Sequence, residues 1–165
     1  MTDKDEFCRC IKQLEKSIYR LAISIVKNQT DAEEAVLESI CRAYANLSSL
    51  KNDDAFKTWL FRIVHNTSVE LIRKNAKVTG CSESDENIPD ERAKDITTRL
   101  VLREAVESLK QPYRTVIILF YYEGLSVSEI AKVTETMSVT VRQQLSRGRK
   151  MLKTLLKEDF ENEFI

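Results

Sequence analysis

Six side chains near the end of the chain carry the most legible chemistry: Val139, Arg142, Gln143, Ser146, Arg147 and Lys150. Their three- and four-residue spacing brings guanidinium, amide, hydroxyl and ammonium groups to one side of a helix. With Val141 at 0°, the 100° helical step puts Leu145, Gly148, Leu152 and Leu155 within about 40° of it, so these form the core side. The six lie opposite. Near the start of such a helix, Arg142 and Gln143 suit bidentate contacts to guanine and adenine edges. Arg147 and Lys150, farther along, suit phosphates. Between Arg142 and Lys157 there are six basic residues and no acidic one. The bland alternative is an ordinary solvated basic face.

Other reactive side chains assemble nothing comparable. Cys8, Cys10, Cys41 and Cys81 lack the paired spacing of a zinc site, and the single histidine, His65, belongs to a different segment from Cys8 and Cys10. No export signal precedes the cysteines, so reduced thiols are expected. Gly80, Gly124 and Gly148 are isolated, which excludes a glycine-rich phosphate loop. The sequence therefore predicts no catalytic residue, no metal and no cofactor, and a protein that is not an enzyme.

The elements that must position these groups read as helices. From Asp5, apolar residues Leu14, Ile18, Leu21, Ala22 and Ile25 follow helical spacing. Thr30 and Glu33 form a capping-box pattern for a second helix to about Leu47, with Val36, Ile40, Ala43 and Leu47 as its apolar stripe and Glu33, Glu34 and Glu38 largely off it. After a polar break at 48–54, Phe56, Leu60, Ile63, Val64 and Leu71 mark a third helix over Ala55 to Lys77. Residues Gly80 to Thr98 hold 6 acidic and 2 basic side chains and read as a flexible acidic linker.

Beyond it, Leu100, Leu102, Ala105, Val106 and Leu109 open a helix that should end before Pro112. The apolar run Val116 to Tyr122 fits a strand or a helix by composition, but Pro112 and Gly124 at its ends favour a buried helix. Ser126 and Glu129 form another capping box, a turn is expected at about Thr134 to Met137, and Ser138 or Met137 starts the long basic helix through about Leu156. The expected fold is all-α, with two small helical domains over 5–78 and 99–158 and a linker over 79–98. No apolar run approaches membrane-spanning length, and a cytoplasmic location without membrane insertion is expected.

Taken in register, Thr30-Asp-Ala-Glu-Glu34 through Glu38, Ala55 to Asn66, Pro112-Tyr-Arg114, Glu123-Gly-Leu-Ser126, Glu129-Ile-Ala131, Thr140-Val141 and Leu145 to Lys150 resemble the extracytoplasmic-function sigma factors of bacteria. The resemblance covers about Leu14 to Leu156, and the length fits a member reduced to sigma regions 2 and 4. It implies an alternative sigma factor that binds core RNA polymerase, through the largest-subunit coiled coil and the flap, and directs promoter-specific transcription initiation. It also implies a cognate anti-sigma factor, commonly membrane-bound. By position, Asp31, Glu33, Glu34, Leu37 and Glu38 correspond to the polymerase-binding surface. Trp59, Arg62, Asn66, Arg73 and Lys74, with the loop at 48–54, correspond to capture of the unwound minus-10 strand, although Trp59 also fits a core role. Val139, Arg142, Gln143, Ser146, Arg147 and Lys150 correspond to the minus-35 reader.

This sequence departs from the family pattern at Leu37, where Gln is usual, at Glu70 for Asp, at Glu135 and Val139, where Gly is often found, and at Gln143 and Gln144. A stand-alone helix-turn-helix regulator is the alternative reading. It needs only Leu100 to Leu156 and leaves the first half without a role.

The chain has 26 basic and 26 acidic residues and a formal charge of zero. The sum hides a cancellation, because the linker is acidic while the last helix is basic. Since phosphate neutralisation dominates affinity for DNA, a neutral chain is expected to bind DNA poorly by itself.

Overall fold

Asp3 begins the first helix by accepting the Asp5 N–H at 3.2 Å, and α1 then runs over Lys4–Val26. The structure, a computed structural model, describes residues 3–79 and 98–163. Its helices continue with α2 (Gln29–Ala45), α3 (Phe56–Thr79), α4 (Thr98–Ser108), α5 (Tyr113–Ile117), α6 (Val127–Thr134) and α7 (Ser138–Glu163). Among the described residues there is no strand, and no helix is long and apolar enough to cross a membrane. The chain divides into two compact units: the first contains α1 to α3, and the second contains α4, α5, α7 and most of α6. The acidic stretch expected as a linker falls almost wholly outside the described residues.

In the first unit, Phe7, Ile18, Leu21, Ala22 and Ile25 of α1 meet Phe56, Leu60, Phe61, Val64 and Leu71 of α3 in a common core. Lys27 ends α1 in the left-handed conformation at φ 62°, and its N–H reaches the Ile23 carbonyl at 2.9 Å. That turn fixes where α2 begins. The expected Thr30 cap is displaced by Asn28, whose extended backbone lets its side-chain oxygen accept the Asp31 N–H at 2.8 Å. Glu33 is not the reciprocal partner of a capping box; its carboxylate accepts from Gln29 instead.

The buried stripe of α2 is also rotated from expectation. Ala32, Ala35, Ser39 and Ala43 are buried, whereas Val36, Ile40 and Leu47 are half-buried. Small side chains let α2 approach α1 and α3 closely. Ser39 is satisfied within its helix by the Ala35 carbonyl at 2.6 Å. The helix stops at Ala45, and the polar break holds two 3-10 turns, Leu47–Ser49 and Asp53–Ala55.

On α3 the hydroxyls of Thr67 and Ser68 are buried and find no hydrogen-bond partner among the described residues. A buried hydroxyl without a partner forfeits its hydration. Thr67→Val and Ser68→Ala are each expected to raise the unfolding free energy of this unit by roughly 1 kcal/mol. Urea unfolding followed by the fluorescence of Trp59, the only tryptophan, measures it; a loss of stability would contradict the expectation.

In the second unit, Ala105, Val106 and Leu109 of the α4 segment pack with Val116, Ile117, Ile118 and Leu119, and with Ile130, Val141 and Leu145. The apolar run is helical, as its ends suggested, but it widens after α5 into a π-helical turn over Ile118–Tyr122. Gly124 leaves that turn at φ 67°. The second capping box forms reciprocally: Ser126 N–H donates to Glu129 at 2.7 Å and Glu129 N–H to the Ser126 hydroxyl at 3.2 Å.

Candidate nucleic-acid interface

The α6–turn–α7 segment has helix-turn-helix form. Glu135 adopts φ 55° at the end of α6, and the Thr136 N–H returns to the Ala131 carbonyl at 3.1 Å, the six-to-one bond of a Schellman ending. The resemblance implies glycine as a frequent residue at this left-handed position, and the turn forms here with Glu. Helix α7 starts at Ser138, with its first helical bond from the Val141 N–H to the Met137 carbonyl. It continues to Glu163, beyond the expected end near Leu156.

Val141 and Leu145 are buried, as is Gly148, where an added Cβ would meet Ile117 Cγ1 at 3.0 Å. Leu152 and Leu155, expected on the core side, are only half-buried. Glycine at 148 therefore lets α7 lie close on α5. Val139, Arg142, Gln143, Ser146, Arg147 and Lys150 are all exposed. Arg149 belongs to a different arrangement: it donates to the Tyr121 hydroxyl at 2.6 Å and lies over the rings of Phe120 and Tyr121. The basic run thus separates into an outward set and one arginine stacked on aromatic side chains, a use that spacing alone did not reveal.

On α3, the 100° step places Asn66, Glu70 and Arg73 within about 40° of Trp59, and Arg62 and Lys74 at about 60°. Arg62, Arg73 and Lys74 are exposed, whereas Trp59 and Asn66 are half-buried. Trp59 leans on Phe56 with ring centroids 5.9 Å apart, so one part of its ring packs and the remainder faces outward. Asn66 Oδ1 lies 3.2 Å from His65 Nδ1. Burial holds the His65 imidazole below its ordinary pKa, with the Asn66 contact acting in the opposite sense. Burial therefore favours the neutral ring, and the positive charge of this face comes from arginine and lysine.

The acidic helix α2 is less uniform than its sequence suggested. Glu33, Glu34, Leu37 and Glu38 are exposed, with Leu37 at 65%. Asp31 is half-buried and accepts from Asn28 at 2.8 Å and from Asn75 of α3 at 3.0 Å, so it ties the two helices together. Glu38 accepts from Arg42 Nε at 2.8 Å, and the same guanidinium reaches Glu70 of α3 at 2.7 Å. Glu70, then Glu38, raise the Arg42 pKa above its ordinary value through these bonds. Sequence reading also passed over Tyr44, which is 50% exposed and one turn beyond Cys41 on the Leu37 side, with its ring 5.4 Å from Phe7. Cys8, Cys10 and Cys41 carry free thiols, and no three potential metal ligands meet among the described residues.

Comparison with known proteins agrees with this layout. Residues 10–78 match the family Sigma-70 region 2, and residues 99–152 match Sigma-70, region 4. The RNA polymerase sigma factor SigV of Bacillus subtilis (strain 168) is 33% identical over 159 residues, which cover 96% of this chain and 96% of that protein. The ECF RNA polymerase sigma factor SigW of the same organism is 29% identical, over 94% and 91%. Among solved structures, the sigma factor RpoE of Bartonella quintana, in complex with the anti-sigma factor NepR, aligns with a TM-score of 0.77 at 24% identity, over 92% of this chain and 97% of that one. CnrH, in complex with the cytosolic domain of CnrY, aligns with a TM-score of 0.69 at 25% identity, over 96% and 92%. With both sigma-70 regions matched in order and a relative 33% identical over 96% of either chain, the chain belongs to the extracytoplasmic-function group of the sigma-70 family of RNA polymerase sigma factors.

Proposed function

We propose that this sigma factor joins core RNA polymerase through α2, holds the unwound minus-10 strand on α3, and reads the minus-35 duplex with α7. The observation that carries the reading is the division of α7: six base- and phosphate-competent positions face solvent while Val141, Leu145 and Gly148 are buried. A recognition helix needs that division, because the groove-facing side must be free of packing duties.

On α2, Glu33, Glu34 and Glu38 surround the exposed Leu37. Carboxylates around an apolar centre suit a basic and polar coiled coil, where charge sets encounter rate and register and the centre supplies buried area. Asp31 contributes by holding α2 against α3. The reading includes the flap of polymerase as a second contact and places the protein in the cytoplasm, where polymerase is. It also includes control by a membrane-bound anti-sigma factor, in keeping with the complexes in which related sigma factors were solved. It involves no catalytic step, metal or cofactor.

Run-off transcription with purified core polymerase and a promoter library tests the proposal. The protein is expected to bind core and to select a subset of promoters. Promoter-independent DNA binding without any association with core would favour a stand-alone helix-turn-helix regulator instead.

A further inference from the structure

Glu70 is a carboxylate in the middle of the α3 face assigned to the unwound strand, about 20° from Trp59 and flanked by Asn66 and Arg73. Left alone it would repel the phosphates that Arg73 and Lys74 attract. Arg42 prevents this from across the helix pair, its Nη1 2.7 Å from Glu70, while its Nε is 2.8 Å from Glu38 on the acidic face of α2. One guanidinium thus serves two carboxylates that belong to two different surfaces. All three side chains are about half exposed, at 41%, 51% and 55%, so a partner can reach them and the bonds can exchange.

We infer that Arg42 is a positioning residue that couples the two surfaces: it screens Glu70 from the nucleic acid, and screens it fully only when a partner has drawn Glu38 away. On the assignment of α2 to polymerase and α3 to the unwound strand, on which this rests, a basic group of polymerase competes for Glu38. Arg42 then spends its whole charge on Glu70. The strand-binding face becomes more cationic at the moment the protein docks. The free protein keeps the weaker face, which limits unproductive DNA binding.

The test needs no polymerase, so its failure is distinct from a failure of the transcription assay. Binding of a labelled mixed-sequence single-stranded oligonucleotide to the full chain is measured by anisotropy at low salt. An R142A/R147A background reduces the contribution of α7. Glu38→Gln stands in for the partner. It is expected to tighten binding about two- to fivefold, the range that exposed ion pairs allow, and the gain should shrink as salt is added. Glu70→Gln should tighten binding similarly, Arg42→Met should weaken it, and Arg42→Met/Glu70→Gln should match Glu70→Gln alone.

Glu38→Gln should have no effect once Arg42 is Met. A purely structural Arg42 would give no gain of binding on removing Glu38 and no rescue by Glu70→Gln, and either result overturns the inference. Circular dichroism of each variant checks folding. If Arg42→Met fails to fold, the Glu38→Gln and Glu70→Gln gains decide the question, since neither variant removes the guanidinium. Absence of measurable binding by the parent chain and by Glu38→Gln at low salt would overturn the coupling, whereas the α3 assignment itself stands or falls with the transcription assay.

Discussion

Replacing Arg114 with Ala is expected to destabilise the second unit by about 2–4 kcal/mol, the range for removing a charged hydrogen-bonding group from a buried site. Arg114 is 3% exposed, and its Nη1 donates to the Leu109 carbonyl at 2.8 Å and the Glu107 carbonyl at 3.2 Å. Helix α4 ends at Ser108, so these are carbonyls at and just past its last turn, where helical partners have run out. The guanidinium also lies at the negative end of the helix dipole. Alanine would strand both carbonyls and leave a void between α4 and α5. Lysine is expected to recover only part of the loss, because a single ammonium cannot reproduce the planar fork. Thermal unfolding by far-UV circular dichroism measures the effect in the second unit, while Trp59 fluorescence, which belongs to the first, should be little changed. Equal stability of Arg114→Ala and the parent would show that the two carbonyls find other donors. Because α7 packs on α5 at Gly148 and Ile117, on the proposed reading loss of this anchor should also weaken minus-35 recognition without altering any of the six exposed α7 side chains.

What the sequence made legible is what depends on short spacing. The reciprocal cap of Ser126 and Glu129, the start of α7 to within one residue (Met137 or Ser138) and the two-sided character of α7 follow from residues three or four apart, whose geometry the helix dictates. The Thr30 cap expected for α2 does not form, because the left-handed turn at Lys27 puts Asn28 at the helix start, where its side chain accepts the Asp31 N–H. The α2 stripe misled for a different reason. Ranking residues by hydrophobicity selects Val36 and Ile40, but the tightest contact among three helices favours the smallest side chains, Ala32, Ala35, Ser39 and Ala43. The Arg42–Glu70 pair spans 28 residues and the Asp31–Asn75 bond spans 44, so no local pattern announces either. In the candidate interfaces, residue types were readable, but the diversion of Asp31 to packing and of Arg149 to aromatic rings was not. Both depend on tertiary neighbours.

Arg142→Ala should test whether α7 reads sequence or merely holds phosphates. Arg142 is exposed in the first turns of α7, next to the fully buried Val141, so its backbone is fixed by packing that the substitution leaves intact. A guanidinium held in that way can form a bidentate contact to one guanine, and its loss is expected to cost about 1–3 kcal/mol, or roughly five- to 150-fold, at a single position of the minus-35 element. Other positions should be affected far less, because the substitution leaves the neighbouring Gln143 and Ser146 side chains in place. Lys150→Ala supplies the contrast. Two turns farther along α7, an ammonium placed for phosphate should weaken all sequences alike and reduce the salt dependence of binding by about one phosphate contact. Promoter-library competition with reconstituted polymerase at two salt concentrations measures both variants together. Uniform loss across sequences for Arg142→Ala would move Arg142 to the phosphate-binding set and leave base reading to Gln143 and Ser146. A loss confined to one base, beside a uniform loss for Lys150→Ala, would mean that α7 separates the two tasks along its length, with specificity at the end anchored by Val141 and affinity farther out.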